Sequence, residues 1–256
     1  MNTRVVELPP GAEGGPQCDA GKVAEVVVVR GGHGIDGLAL EPHFQVQNAV
    51  VPVRDACSYA EGVSDIRIEL VSAKRGHDSL DDICRVYDLV FSAPPFYWRD
   101  DESDLHRERL LRLLEDPTFG LATASGPNGL VGFAYGYTVP VDTQRWTRVL
   151  GELDEAMTRE WPGRTFLLFD FAVVPGYRGR GIGKALHDLL LSSRREERAT
   201  LTVQPTALQT KSLYGRWGWR MVGQLEGGPA AAAPRFDVYL RDRLDDLRMS
   251  PQPTSP

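Results

Sequence analysis

The sequence lacks a long apolar stretch, a metal-ligand pattern and an excess of basic residues. No apolar run in its 256 residues approaches the length of about 18 that a membrane span needs. Its start contains no apolar segment of signal-peptide length. The five histidines form no H-x-x-H or H-E-x-x-H pattern, so we expect no bound metal. The formal net charge of -6 disfavours general nucleic-acid binding, because proteins that grip phosphate backbones are usually basic.

Cysteine is also scarce. The chain has three cysteines, Cys18, Cys57 and Cys84, an odd number with no two at metal-ligand spacing. This usage is typical of a reducing compartment, where disulfides are rare. We therefore expect a cytoplasmic protein that makes no membrane contact.

The chain divides into three parts by composition. Residues 1–64 predict an N-terminal extension that is partly disordered, with two weak strands at most, one in the four-valine run and one in "FQVQNAVVPV". Residues 65–243 predict one regular domain. Residues 244–256 predict a disordered tail that ends in "MSPQPTSP".

Hydrophobic periodicity gives the domain an α/β character. "DIRIELVSA" alternates like a strand, and "SLDDICRVYDLVFSA" and "ESDLHRERLLRLLED" follow the helical template. A further helix is predicted near "RVLGELDEAMTRE". The predicted order is β-α-α-β-β-(α)-β-α-β-α-β-β, which indicates a mixed, largely antiparallel sheet flanked by helices.

A glycine-rich bend at residues 173–190, "VVPGYRGRGIGKALHDLL", joins an apolar strand to a helix. The nucleotide P-loop pattern fails there, because Arg178 stands where its first glycine belongs and Ala185 replaces its hydroxyl residue. The dinucleotide pattern fails as well, because Leu186 is too large for its third glycine position. The remaining pattern is R-x-x-G-x-G, formed by Arg178, Gly181 and Gly183.

This bend resembles the acetyl-CoA-binding motif of the GCN5-related N-acetyltransferase (GNAT) superfamily. "LYGRWGW" is similar to the superfamily's later signature, carried here by Tyr214, Gly218 and Trp219. The resemblance spans about residues 65–243 and implies a single GNAT-type domain with acetyl-CoA as co-substrate and no metal. Glycines lack the Cβ that would keep a pyrophosphate from the backbone, and a helix N-terminus favours an anion.

The resemblance also implies the residues of the donor site. A main-chain N–H near Val173 would hold the developing oxyanion, and the Tyr214 hydroxyl would protonate the departing thiolate. Asp170, the only charge within "FLLFDFAVV", would act as base or amine anchor, although a water relay can replace it. The predicted donor-binding residues are Ala172, Val173, Val174, Arg178, Gly179, Arg180, Gly181, Ile182, Gly183 and Lys184.

The acceptor side is less clearly marked. In "SAPPFYWRDDES", Phe96, Tyr97 and Trp98 are predicted to form an aromatic wall, and the acids that follow would attract a cationic amine. The leading interpretation is an acetyl-CoA-dependent N-acetyltransferase that acts on a primary amine of a small molecule. A protein N-terminal or lysine acetyltransferase and a non-catalytic acyl-CoA-binding regulatory module are the alternatives. Monomer and homodimer are both compatible with the sequence.

Overall fold

A computed structural model of the chain describes residues 66–228 and 231–249, together with the backbone of two short strands, β1 (Val5–Glu7) and β2 (Val28–Val29). Strand β2 lies in the four-valine run, where the sequence predicts a weak strand. The second predicted weak strand, "FQVQNAVVPV", and the predicted disorder of the extension lie outside the described residues.

The first half of the domain follows the predicted order of elements, with one short helix, α1 (Ala73–Asp78), that was not predicted. Its elements are β3 (Arg67–Val71), α1 (Ala73–Asp78), α2 (Leu80–Phe91), α3 (Glu102–Leu114), β4 (Gly120–Gly126) and β5 (Gly129–Thr138). Helix α2 buries Ile83, Val86, Tyr87 and Val90, which recur at helical spacing. It ends ahead of the Pro94–Pro95 pair, because a residue before proline disfavours the helical conformation.

The second half carries the glycine bend. Its elements are β6 (Val149–Leu150), α4 (Glu155–Thr158), β7 (Thr165–Val173), α5 (Ile182–Ser192), β8 (Arg198–Val203), α6 (Leu208–Arg216), β9 (Arg220–Glu226), β10 (Arg235–Arg241) and α7 (Asp245–Met249).

Two predictions need correction. The helix expected near residues 148–160 is instead strand β6 followed by the four-residue helix α4. Gly151 separates the two with a φ of 99°, which a continuous helix does not allow. The domain also continues past residue 243, because Leu244 is fully buried in the core and α7 follows it. Residues 250–256 of the expected tail lie outside the described part of the chain.

The strands form one mixed sheet, as predicted. Its order is β1-β3-β4-β5-β7-β8-β10-β9-β6, with β2 on β7 away from this path. Strands β7 and β8 are parallel, and the other pairs are antiparallel. Helices α2 and α3 cover one face and α5 the other, so that every residue of β7 is buried.

A β-bulge interrupts β7 at its centre. Tyr135 of β5 pairs with Asp170, but the next residue, Gly136, pairs with Leu168, so Phe169 is an extra residue on β7. Gly136 allows this close approach, because a Cβ there would overlap the Leu167 carbonyl oxygen. The bulge bends β7, as bulges do, and pairing between β7 and β8 ends at Leu167 and Thr200. The two strands therefore diverge toward their carboxyl ends and leave a gap in the sheet.

Candidate active site

The backbone of β7 offers hydrogen-bonding groups to this gap. The Val174 N–H donates to the Val131 carbonyl of β5 at 2.9 Å. Because successive residues of a strand direct their backbone groups to opposite edges, Ala172 also faces β5, whereas Phe171 and Val173 face the gap. The family resemblance implies that the Val173 amide holds the oxyanion. This amide points to the edge where β7 and β8 have separated.

The glycine bend lies directly beyond this edge. Gly181 is the N-cap of α5 and has a φ of 80°, a left-handed conformation that favours glycine. A Cβ at Gly181 would meet no atom within 4 Å, so the backbone at this point is open. The Ala185 N–H makes the first helical bond of α5, to Gly181. The amides of Ile182, Gly183 and Lys184 before it have no intrahelical acceptor, which makes this end of α5 suited to an anion.

The basic residues of the bend have different surroundings. The Arg178 Nε donates to the Val173 carbonyl at 2.8 Å, and burial lowers the pKa of this guanidinium to about 10. Arg180 lies over the Tyr177 ring, and Lys184 is at the surface, paired with Asp188. Arg178 thus connects the bend to the edge of β7, whereas Arg180 and Lys184 lie at its rim.

Tyr214 is on α6, in the same apolar cluster as Phe171 and Val173 of β7. Its ring is fully buried, with Trp217 and Trp219 packed edge-on at centroid distances of 5.9 Å. Its hydroxyl has no hydrogen-bond partner among the described residues. Burial raises the pKa of Tyr214 well above its usual value, so the hydroxyl keeps its proton.

His187 links the helix of the bend to the second sequence motif. The Trp219 Nε1–H donates to Nε2 of His187 at 3.0 Å, and His187 Nδ1 lies 2.8 Å from Asp188. These bonds assign the ring proton to Nδ1. The His187 ring also contacts Trp217, which packs on Tyr214. Helix α5 and the ring of Tyr214 are therefore joined through the rings of His187, Trp217 and Trp219.

A buried polar network lies on the other face of β7. The Tyr135 hydroxyl donates to Asp170, and His106 Nε2 lies 3.1 Å from the same hydroxyl. The Arg109 guanidinium lies 3.8 Å from both Asp170 and Glu102. Asp170 is on this face because of the bulge. Phe169 and Asp170 both point toward α2 and α3, whereas regular alternation would turn Asp170 toward α5.

The network extends along α2 and α3. The Tyr87 hydroxyl donates to Glu102 at 2.9 Å and accepts from Arg109 at 3.2 Å, and its ring stacks on His106 at 3.5 Å. The described members include two carboxylates, Asp170 and Glu102, and the Arg109 guanidinium. The network is thus suited to hold a positive charge at this end of β7.

The predicted aromatic segment runs between α2 and α3 and ends at the gap. The Tyr97 N–H donates to the Gln204 side chain at 2.9 Å, and the Thr206 hydroxyl donates to the Pro95 carbonyl at 2.9 Å. Gln204 and Thr206 both follow β8, so the segment crosses from the helices to the far side of the gap. Phe96 packs against the core clusters of both sheet faces. Trp98 lies 6.2 Å from Tyr87, and Tyr97 is half exposed.

The sequence reasoning missed most of the polar network. Glu102, His106 and Arg109 are spaced at i, i+4 and i+7 on α3 and share its inward face with Leu110 and Leu113. Polar residues on the apolar face of an amphipathic helix are the signal that could have found them. Tyr135 and His187 carry no such local signal.

Two classes of site are not seen in the part of the chain that the structure describes. No helix there is both long and apolar enough to span a membrane. Across residues 66–228 and 231–249, no three His, Cys, Asp or Glu side chains are grouped as a metal site requires.

The sequence matches the Acetyltransferase (GNAT) family profile over residues 83–219. This match covers more than half of the chain, which therefore belongs to the acetyltransferase (GNAT) family, and acetyl-CoA is the typical donor of that family. A comparison with curated protein sequences found no match.

Several solved structures are similar to this chain. PH1933 from Pyrococcus horikoshii OT3 is 17% identical, with a TM-score of 0.50 over 70% of this chain and 99% of that one. The ribosomal-protein-S18-alanine N-acetyltransferase from Escherichia coli is 13% identical, with a TM-score of 0.47 over 75% and 99%. NAA60 from Arabidopsis thaliana in complex with acetyl-CoA is 21% identical, with a TM-score of 0.48 over 68% and 96%.

Proposed function

We propose that this protein transfers the acetyl group of acetyl-CoA to a primary amine of a small molecule by direct attack. The observation that carries this proposal is the gap between β7 and β8. The gap has on one side an edge of β7 that β8 does not pair with, the anion-binding end of α5 beyond it and the Tyr214 ring in the adjoining core.

The residues of the gap and bend fit the donor. The amides of Ile182, Gly183 and Lys184 would bind the pyrophosphate, with Arg180 and Lys184 adding positive charge at its rim. Phe171 and Val173 would pair with the pantetheine arm, because their backbone groups face the gap. This arrangement would leave the thioester at the end of β7, between Tyr214 and the polar network.

Three residues would then share the chemistry. The amine nitrogen forms the new C–N bond as the C–S bond breaks. The Val173 N–H would donate to the carbonyl oxygen as negative charge develops there. Asp170 and its network would take one proton from the ammonium ion, which frees the lone pair of the nitrogen for attack. After the C–N bond forms, the nitrogen loses a second proton, and the departing sulfur gains one through the Tyr214 hydroxyl.

The surroundings of the acceptor favour a small molecule. The segment at residues 92–101 crosses the gap and is fixed on its far side by Gln204 and Thr206. A peptide acceptor needs an open groove, and this crossing narrows the approach. The Asp170 carboxylate would attract an amine that arrives as an ammonium ion.

The acceptor class is tested with acetyl-CoA and a panel of amines, following thiol release and product mass. The panel contains diamines, amino sugars, arylalkylamines and peptides with a free N-terminus or lysine. We expect kcat/KM to be at least about tenfold higher for one small amine than for any peptide, the difference that one or two lost contacts produce. Equal or better turnover of peptides would overturn the small-molecule assignment. Binding of acetyl-CoA without any turnover would favour a regulatory module.

The role of Asp170 is tested by Asp170→Asn, with Glu102→Gln as the matched control. Both changes remove one carboxylate charge from the same network and keep the side-chain shape. We expect Asp170→Asn to lower kcat by about 10²-fold or more, as loss of a general base does, and Glu102→Gln to change it less than tenfold. Equal effects of the two substitutions would mean that the network acts through its overall charge.

A further inference from the structure

The gap between β7 and β8 contains a segment of the chain's own N-terminal extension. Strand β2 pairs antiparallel with β7, Val28 opposite Ala172 and Val29 opposite Phe171. Strand β5 already pairs with the other edge of β7, with Phe133 opposite Ala172 and Ala134 opposite Phe171. Strand β2 must therefore lie on the edge that faces β8, within the gap.

The alternation of backbone groups identifies which residue of β2 makes the hydrogen bonds. Because Phe171 directs its N–H and carbonyl into the gap, Val29 and Phe171 form the hydrogen-bonded pair. Val28 lies opposite Ala172, whose backbone groups face β5, so Val28 directs its own N–H away from β7. The backbone of Val29 thus binds the groups of Phe171 that we assign to the pantetheine arm.

We propose that Val28–Val29 is an internal competitor of the donor, which pairs with β7 where the pantetheine arm of acetyl-CoA would pair. This inference rests on the proposed function, because it takes the β7 edge as the donor site. An extended peptide and an extended pantetheine arm present similar amide groups to a strand edge. The two cannot hold the Phe171 backbone at once, so donor binding requires β2 to leave.

A competing segment on the same chain lowers the apparent affinity of a ligand by the fraction of molecules in the open state. Weakening β2 should therefore tighten donor binding. Val29→Pro removes the N–H that β2 donates to Phe171, because proline has no backbone donor. Val28→Pro is the matched control, since it makes the same change one residue earlier, where the N–H points away from β7.

The experiment measures the dissociation constant of acetyl-CoA for the full-length wild type and both variants by calorimetry. We expect Val29→Pro to bind acetyl-CoA about 2- to 10-fold more tightly than wild type, the range given by one backbone hydrogen bond. Val28→Pro should have a smaller effect. Equal or weaker binding by Val29→Pro, when the wild type binds, would overturn the inference and leave the proposed function intact. If neither the wild type nor either variant binds acetyl-CoA, the competition by β2 and the proposed function are both wrong.

Hydrogen exchange gives a second readout that does not depend on a substitution. Saturating acetyl-CoA should increase exchange at the Val29 amide of the wild type, because the strand is displaced. It should keep the Phe171 amide protected, because the donor replaces Val29 as its hydrogen-bond partner. A Val29 amide that remains protected with acetyl-CoA bound would show that the strand and the donor coexist, which contradicts the competition.

Discussion

Tyr214 combines three properties that suit a proton donor in a closed site. Its ring is fully buried, its hydroxyl has no protein partner among the described residues, and burial raises its pKa well above the usual value. A hydroxyl of this kind does not lose its proton at neutral pH. It is therefore available to a group that develops negative charge beside it, such as a departing thiolate.

Replacing Tyr214 by Phe should lower kcat by about 10²-fold, within the range expected for loss of general acid catalysis, and leave the dissociation constant of acetyl-CoA nearly unchanged. Steady-state kinetics and calorimetry check the two quantities. Tyr239→Phe is the matched control, because its ring packs 6.3 Å from that of Tyr214 and has no role in the proposed chemistry. An unchanged kcat for Tyr214→Phe in a chemistry-limited assay would remove the tyrosine from this role.

Gly181 is the second residue to which we assign a role, because its open backbone would let a pyrophosphate approach the amides of α5. Gly181→Val should weaken acetyl-CoA binding at least about tenfold, because the side chain would project where the pyrophosphate approaches the amides of α5. Gly163→Val is a close control, since Gly163 has a similar φ of 77° and also has no atom within 4 Å of an added Cβ. Both variants should lose similar stability. Retained affinity in Gly181→Val would contradict the pyrophosphate assignment.

Among the elements, the segment between α2 and α3 shows how the acceptor side is connected to the sheet. Its two hydrogen bonds, from Tyr97 to Gln204 and from Thr206 to Pro95, attach it to residues that follow β8. A segment fixed in this way positions Phe96 between the two sheet faces. Loosening the attachment should affect the acceptor more than the donor.

Gln204→Ala removes the side-chain acceptor of the Tyr97 N–H, which costs about 0.5–1.5 kcal/mol. We expect the KM for the amine to rise several-fold, with the KM for acetyl-CoA nearly unchanged. Gln209→Ala, an exposed position on α6, controls for the loss of a glutamine and should leave both constants unchanged. An equal rise in both KM values would show that Gln204 supports the whole site.

At the scale of the whole molecule, the free energy of unfolding should depend on His187. Burial lowers the pKa of this ring below its ordinary value of about 6.5. Below that pH the unfolded chain takes up a proton that the folded ring resists, so stability falls as the pH falls. The contribution of one such group is at most about 1.4 kcal/mol per pH unit.

Urea unfolding between pH 5 and 7.5 measures this dependence. His187→Gln should flatten the loss of stability below about pH 6.5. His77→Gln, which removes a histidine at the surface, controls for the loss of a histidine as such. Identical slopes for His187→Gln and wild type would exclude His187 as the group responsible.

The local features of the fold were predictable from the sequence. The apolar run of β7, the glycine bend and the helical spacing of Leu186, Leu189 and Leu190 lie within one short stretch, so the strand, the turn and the helix follow from neighbouring residues. Tyr214 was predicted from a second short motif. Its neighbours Trp217 and Trp219 belong to that motif, but Tyr239, which packs on the same ring, comes from β10, which the motif does not contain.

Long-range features were not predictable in the same way. The network of Asp170 joins residues from α3, β5 and β7 that are far apart in the sequence, and nothing local marks Tyr135 as its hydrogen-bond partner. The pairing of β2 with β7 likewise depends on an unsatisfied strand edge that exists only after the sheet has formed.

The extra residue at Phe169 has a consequence for how this fold tolerates change. Deleting Phe169 would restore regular alternation with Asp170 still on the face of α2 and α3, because Asp170 would then directly follow Leu168 on the opposite face. It would also remove the bend that ends pairing between β7 and β8. The shortened chain would form a more continuous sheet with fewer exposed strand edges. It would also lack the gap in which we propose that the donor binds. Deleting this residue should therefore lower the catalytic activity more than the free energy of unfolding.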